Sequence, residues 1–229
     1  MFSVIFEVQP RSDRWDAYLG YAAMLRPELL RIDGFIDNVR YRSRREPGRL
    51  LSLSTWRDEK ALVRWRVHAQ HHEVQTQGRA SVFSDYHLRV GQVTADTHVP
   101  AGHAIREQRL DTTETGLGVA VTIVQAHDSA IGEDLAPAEV AARFCLVVDP
   151  ATPDPVTPVP ATTDGPAAWD VFDAILTPGD RLVLATWAAA PGAWARIPDG
   201  ARRREVRIVR DYGLIDRREA PQYFPPVAS

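Results

Sequence analysis

A chain of 229 residues with 45% hydrophobic and 25% charged residues has the composition of an ordinary globular protein, with length for one large domain or two of about 110 residues. A formal net charge of -3 gives no basic footprint for nucleic acid, so the expected partner is a small molecule or another protein. The single cysteine, Cys145, excludes an intrachain disulfide and fits a reducing cytoplasm, while the opening MFSVIFEVQPRSDRW lacks a basic leader and no uncharged apolar run spans a membrane; neither secretion nor membrane insertion is expected.

In chain order, SVIFEVQ sets Val4, Phe6 and Val8 against Ser3, Ile5 and Glu7, the period-two pattern of a half-buried strand. SDRWDAYLGYAAMLRPELLRI reads as a helix with Ser12 or Asp13 as N-cap and Trp15, Leu19, Ala22 and Leu25 at helical spacing; Pro27 is expected to kink or end it. Gly34 marks a turn into a second strand, FIDNVRYRS, and the turn EPGR leads into a third, LLSLSTW. Thr55 and Asp58 have the spacing of a capping box before EKALVRWRVHAQHHEVQ, one helix with the stripe Leu62, Trp65, Ala69 and His72, ended by Gly78. SVFSDYHLRVGQV alternates as a fourth strand, which completes a β-α-β-β-α-β ferredoxin-like unit.

The second half repeats this plan in eroded form: VAVTIVQA, a shortened helix APAEVAARF, a Pro-rich stretch over 149–166, then AWDVFDAIL, the turn TPGD and RLVLATW. Leu51, Leu53, Thr55 and Trp56 correspond to Leu182, Leu184, Thr186 and Trp187; Trp65 has a rough counterpart in Trp194, and SDYHL is echoed by RDYGL. After Trp187 the sequence AAAPGAWARIPDGARR holds two prolines and two glycines, so the second copy lacks a full helix there. The expected organisation is a first unit at 1–98, a linker at 99–116 and a degenerate second unit at 117–229 with the Pro-rich insertion, a disordered segment or a lid.

The stretches SVIFEVQP, STWRDEKALVRWRVHAQHHEVQTQGR and SVFSDYHLRV, in that order, make the first half resemble the antibiotic biosynthesis monooxygenase domain of the dimeric α+β barrel superfamily. That resemblance implies an α+β fold of two tandem ferredoxin-like units closing an intrachain barrel, a pseudodimer able to associate further as a homodimer. Members of the family include cofactor-independent oxygenases of aromatic substrates, haem-degrading enzymes and proteins of other roles, so the fold alone names no reaction.

The chemistry concentrates in WRVHAQHH, with Trp65, His68, His71 and His72. His71 and His72 are candidate acid–base groups and His68 a substrate contact; His72 is the candidate haem ligand, although these histidines follow Trp65 more closely than haem-degrading relatives imply. No metal site is expected, since a His68–His72 pair lacks a third ligand, and surface histidines are the alternative. Glu7 is a candidate buried base with a raised pKa, or else part of a salt bridge, and Asn38, Trp56 and Trp65 are candidate substrate contacts in a barrel cavity. On the fourth strand, Phe83, Asp85, His87 and Arg89 share a face expected to meet solvent or the other unit. Arg210, Asp211, Tyr212, Asp216 and Arg217, followed by a tail with Pro221, Tyr223, Phe224 and Pro225, form either an ion-pair seam across the other unit or an anion-recognition surface. The leading functional expectation is monooxygenation of an apolar, aromatic small molecule with O2 and no cofactor. A haem enzyme of this fold and a non-catalytic binding protein are the alternatives.

Overall fold

In the computed structural model, residues 1–132, 134–144, 165–191 and 197–221 are described; Cys145, nearly all of the Pro-rich stretch, Trp194, Tyr223, Phe224 and Pro225 lie outside them. The first half forms β1 (Phe2–Pro10), α1 (Trp15–Leu30), β2 (Phe35–Ser43), β3 (Leu50–Trp56), α2 (Glu59–Arg66), α3 (Ala69–Gln77) and β4 (Phe83–Asp96). The second forms β5 (Ala120–His127), α4 (Asp128–Ile131), α5 (Pro137–Arg143), β6 (Ala168–Ala174), β7 (Asp180–Trp187) and β8 (Arg202–Gly213). The strands close a barrel in the order β1-β3-β2-β6-β7-β5-β8-β4. Within it, β2-β3-β1-β4 and β6-β7-β5-β8 are the same ferredoxin-like order, so the fold is two tandem units joined edge to edge. Joining both edges leaves neither half with an open strand.

Alternation in the strands assigns each side chain to the barrel interior or to its outer surface. Ile5, Leu51, Leu53, Tyr41 and Val93 of the first unit meet Val121, Ile123, Phe172, Leu182, Leu184, Val206 and Ile208 of the second in one core. These side chains pack the interior, and the cavity described below lies outside the barrel, not within it as expected. The outward residues Phe2, Val4, Phe6, Leu50, Trp56, Tyr86 and Val90 pack instead against the helices of the first unit.

Two buried arginines tie the halves together through that core. The pairing register makes them equivalents: Ile5 of β1 stands opposite Leu53 and Arg89, and Ile123 of β5 opposite Leu184 and Arg204. Arg89 donates to Thr186 at 2.6 Å and Arg204 to Thr55 at 2.9 Å, so each arginine reaches the matching threonine of the other unit. The same register shows that SDYHL and RDYGL are not equivalents: Leu88 and Arg89 lie directly opposite Tyr212 and Asp211 across the β4–β8 seam.

Glu7 belongs to this interior and its expected raised pKa is corrected. Burial pushes the carboxyl up, but the charges of Arg89, His87 and Arg49, with the Arg89 hydrogen bond, outweigh burial, and the net direction is down. His87 in turn sits 2.6 Å from Asp211, so the charged face of β4 is the inter-unit contact.

Three local expectations are also corrected. Pro27 does not end α1, which runs through it to Leu30 and starts after Arg14 without a side-chain cap from Ser12 or Asp13. Asp58 alone caps α2, accepting from the Ala61 amide at 2.8 Å, while Thr55 is turned into the barrel toward Arg204. Gly78 does not end the helical path; a wider π-type turn continues over Gly78–Val82.

The Glu7–Arg89 pair is buried, so removing one partner leaves a charge without compensation. Arg89→Met lowers the unfolding free energy by about 3–5 kcal/mol. In urea unfolding, Glu7→Gln combined with Arg89→Met costs clearly less than the two single losses added; strictly additive losses would show that the two side chains are not coupled.

Candidate functional site

A cavity of about 210 Å³ lies outside the barrel, between the outward face of β1–β4 and the layer formed by α1, α2, α3 and the π-turn. Its floor includes Val4, Phe6, Asn38, Ser52, Ser54 and Trp56, and its roof Tyr18, Leu25, Trp65, His71, Val74 and Gln75. One end is basic and aromatic, with Arg66, Arg79, Tyr86, Tyr212 and Arg217. Among the described lining residues there is no Asp or Glu, and His71 is the one imidazole.

The roof depends on a break in the expected single helix. After α2 the chain turns at His68, in an extended conformation (φ -62, ψ 129), and restarts as α3. This bend carries His71 back beneath Trp65, where the rings stack with centroids 4.3 Å apart at 14°. A continuous helix would have aligned Trp65 with His72 instead; here His72 is exposed and outside the lining. His68 also stays outside it, stacked at 5.6 Å on Trp65 and 3.8 Å from the Glu28 carboxylate.

His71 is in its neutral form. Its Nδ1 lies 2.9 Å from the Trp65 carbonyl oxygen, an acceptor only, so Nδ1 carries the hydrogen and donates, and Nε2 retains a lone pair. Burial lowers the imidazole pKa from 6.5 to about 4, against the opposing effect of that hydrogen bond, and the His68 and His72 charges lower it further.

The floor is set by side-chain bonds. Asn38 donates both to the Ser52 hydroxyl at 2.9 Å and to the Leu53 carbonyl at 3.1 Å, so its amide oxygen is the remaining polar capacity. The Trp56 indole donates to Ser54 at 2.9 Å. Tyr18, pushed up by burial, is hydrogen-bonded to Arg40 and Ser52. The structure thus brings Asn38, Trp56, Trp65 and His71 to one cavity and leaves Glu7, His68 and His72 outside it.

The second unit completes the cavity through an irregularity in β8. Between Val90 and Gly91 of β4 the register with β8 skips Val209. That extra residue reverses the alternation, so Ile208 faces the core while Tyr212, opposite Leu88, faces the helices of the first unit. Gly91 is required there, because a Cβ would stand 2.3 Å from Val206. Beyond β8 the tail folds over the cavity and places Arg217 2.6 Å from the Tyr86 hydroxyl. Of the two readings of this segment, Asp211 joins the seam and Arg217 the cavity.

Arg66, Arg79 and Tyr18 escaped sequence reading. Arg79 had no legible signal, since its inward aim follows from the π-turn; Arg66 lies beside Trp65 and was hidden by the assumption of one straight helix.

The donor set does not fit a haem. His72 and His68 lie outside the cavity, and His71 faces a space of about 210 Å³ with its ring face covered by Trp65. Among the described residues no group of three His, Cys, Asp or Glu side chains is placed to hold a metal ion, and no helix is long and apolar enough to cross a membrane.

An α+β barrel whose helices and sheet clasp a largely apolar cavity with a single neutral histidine has the form of a small-molecule enzyme. The family model described as antibiotic biosynthesis monooxygenase matches residues 1–77. The chain is 45% identical over 235 residues to a Pyricularia oryzae protein named jasmonate monooxygenase ABM, the match covering 100% of both. Among solved structures, a conserved protein from Methanosarcina mazei Go1 matches at 19% identity and TM-score 0.37, over 39% of this chain and 88% of that one. A Fusobacterium nucleatum protein described as a monooxygenase matches at 8% identity and TM-score 0.37, over 92% and 93%. The chain belongs to the antibiotic biosynthesis monooxygenase family, and its activity is of the monooxygenase kind.

His71 gives the fold a defined acid sensitivity. Its pKa is lower folded than unfolded, so the unfolded chain binds the proton more readily as pH falls from 6.5 to about 4, and stability is lost across that window. His71→Phe keeps the stack but removes this titration, so the melting temperature of the variant declines less than that of the native chain between about pH 7 and about pH 4. Parallel declines would place the titration elsewhere.

Proposed function

We propose that the protein is a cofactor-independent monooxygenase that oxidises a small, apolar keto acid of the jasmonate type with O2 in the cavity between helices and sheet. The observation that carries this reading is the placement of a neutral histidine, stacked on Trp65, in a largely apolar cavity. The 45% identity to a protein named jasmonate monooxygenase supports the substrate class. The volume is below the roughly 300–1,000 Å³ of drug-sized sites, which favours one ring and a chain over a fused polycycle.

The chemistry assigned to the residues is modest. His71 Nε2 accepts a proton from a carbon acidified by a neighbouring ketone, and the Asn38 amide oxygen and Ser54 fix the substrate beside it. With a pKa of about 4, His71 is always in the accepting form at neutral pH yet is a weak base, so the substrate position must itself be acidic. The resulting carbanion transfers electrons to O2 and combines with it as a hydroperoxide. Where the carbon carries a second hydrogen, loss of water leaves a carbonyl: the O–O bond breaks, one oxygen stays and one departs as water, and the substrate supplies every electron. Trp56, Trp65, Phe6 and Leu25 keep water from the carbanion.

The test is incubation of the purified protein with jasmonate under 18O2, without reductant. One labelled oxygen in the product is expected, and His71→Phe lowers kcat by about 10²-fold or more, the usual contribution of a positioned base. Absence of turnover, or label arriving from water, would overturn the reading.

A further inference from the structure

Arg40 is a cation of the cavity floor that the assigned chemistry does not use. Strand alternation sets Val39 and Tyr41 into the barrel core and turns Asn38, Arg40 and Arg42 toward the helix layer. Arg42 is exposed, with its guanidinium carbon 5.2 Å from the Trp15 ring centroid. Arg40 is instead half-buried and lines the cavity beside Asn38 and Ser52. Its backbone is fixed from the second unit: the Ile175 amide donates to the Arg40 carbonyl at 2.9 Å, one step beyond the β2–β6 ladder.

The guanidinium reaches the Tyr18 hydroxyl, but its Nε lies shielded from solvent without a hydrogen-bond acceptor among the described residues. A buried N–H that donates to nothing costs free energy, and more so on a charged group. Tyr18 does not neutralise that charge, because burial holds its phenol above the usual range and so uncharged. No described carboxylate forms an ion pair with Arg40, and the described lining residues hold no Asp or Glu. A positive charge with an open donor, set in a largely apolar cavity, fits an anion that brings an acceptor to Nε. A carboxylate is that kind of anion, since its two oxygens match the planar fork of an arginine and one of them can take the Nε hydrogen. At the far edge of the same sheet, Arg79 and Arg217 are engaged with the Tyr86 hydroxyl at 2.7 and 2.6 Å.

We propose that Arg40, with the Tyr18 hydroxyl beside it, is the carboxylate-binding group of the cavity and holds the acid end of the substrate next to Asn38. This inference rests on the proposed function for its substrate class, but it concerns binding and orientation, not the oxidation itself. Arg40 and Asn38 stand two residues apart on one strand face, about 6.6 Å at about 3.3 Å per residue. In a jasmonate-type keto acid the carboxyl group is a few bonds from the ring ketone, a separation that these two neighbours match. The acid at Arg40 therefore sets the ketone near Asn38. The apolar chain extends over Phe6 and Leu88, which stand in register with Arg40 and Ser52 across β1 and β4 and also line the cavity.

The experiment compares jasmonate with methyl jasmonate, which keeps the ring, ketone and chain but carries no charge. Equilibrium binding is read by quenching of tryptophan fluorescence, since Trp56 and Trp65 line the cavity, and kcat and KM are read separately where turnover occurs. The native protein is expected to bind the acid about tenfold or more tightly than the ester, the scale of one hydrogen bond to a charged group. Arg40→Gln removes that preference, and Arg40→Lys, which keeps the charge without Nε or the fork, restores part of it. Equal binding of acid and ester by the native protein overturns the proposal, and that comparison needs no variant to fold. An acid preference that survives in folded Arg40→Gln overturns it too, as does equal weakening of both ligands, which would assign Arg40 to the shared ketone or to the fold. Because binding is measured without turnover, an Arg40-dependent acid preference with no oxidation retains the anchor and removes the proposed function, whereas oxidation of both ligands with equal KM does the reverse.

Discussion

Arg89 and Arg204 each leave their own half of the barrel and donate to a threonine of the other half. Both side chains are almost wholly buried, and each also bonds within its own unit, Arg89 to Glu7 and Arg204 to Gln125 at 2.7 Å, so each guanidinium bridges the two halves. Since the threonine acceptor of each arginine belongs to the opposite unit, a separated unit would leave part of its own arginine without a partner, and this favours closure of the two units on one another. Closure packs the interior with the joined core. The described cavity lies outside the barrel, where the outward faces of the strands require a second layer. The location of the site is thus a consequence of how the barrel is sealed.

The two outward faces are covered in different ways. In the second unit, short helices α4 and α5 lie close to the strands, and Val140, Ala141, Phe144 and Ile131 pack against Trp169, Val171 and Val183 as a continuous core. In the first unit the longer α1 and the bent pair α2–α3 stand over Asn38, Ser52 and Ser54, small polar side chains that do not fill the space beneath them. Where the echo of LSLSTW reads LVLATW, Val183 and Ala185 replace Ser52 and Ser54 at matching outward positions, an exchange of cavity floor for packed core. The asymmetry visible after Trp56 and Trp187 therefore extends into the strands themselves.

Strand alternation carried most of the fold in plain view. LLSLSTW assigns Leu51, Leu53 and Thr55 to one face and Ser52, Ser54 and Trp56 to the other, and the structure keeps that division. What the residues did not reveal were places where the pattern is interrupted by distant contacts. The bend at His68 was invisible because EKALVRWRVHAQHHEVQ is helix-competent throughout; stacking of His71 on Trp65 is a tertiary outcome of the break. Glu7 was legible as either a buried base or a salt-bridge partner, and the choice was not, since its partner Arg89 lies 82 residues along and reaches it only through strand pairing. The RDYGL echo misled for a related reason: similarity of local sequence is silent on register, and the skipped Val209 alters which face follows it.

Joining two units in one chain also removes the symmetry that a true dimer would impose. In a symmetric pair, any residue that the second unit lends to the first is returned in kind, and both helix layers must meet the same demands. Here the last strand and tail of the second unit supply Tyr212 and Arg217 to the cavity of the first, and their reach depends on a register shift at one seam. The opposite seam, β2 with β6, pairs only Tyr41–Ser43 with Phe172–Ala174 and is supported by the Ser43 hydroxyl on Asp170 at 2.8 Å. One seam is therefore long and shaped around the cavity, and the other is short and only closes the barrel. A second unit with a packed outer face is then sufficient, because its contribution to the site is made across the seam and not beneath its own helices.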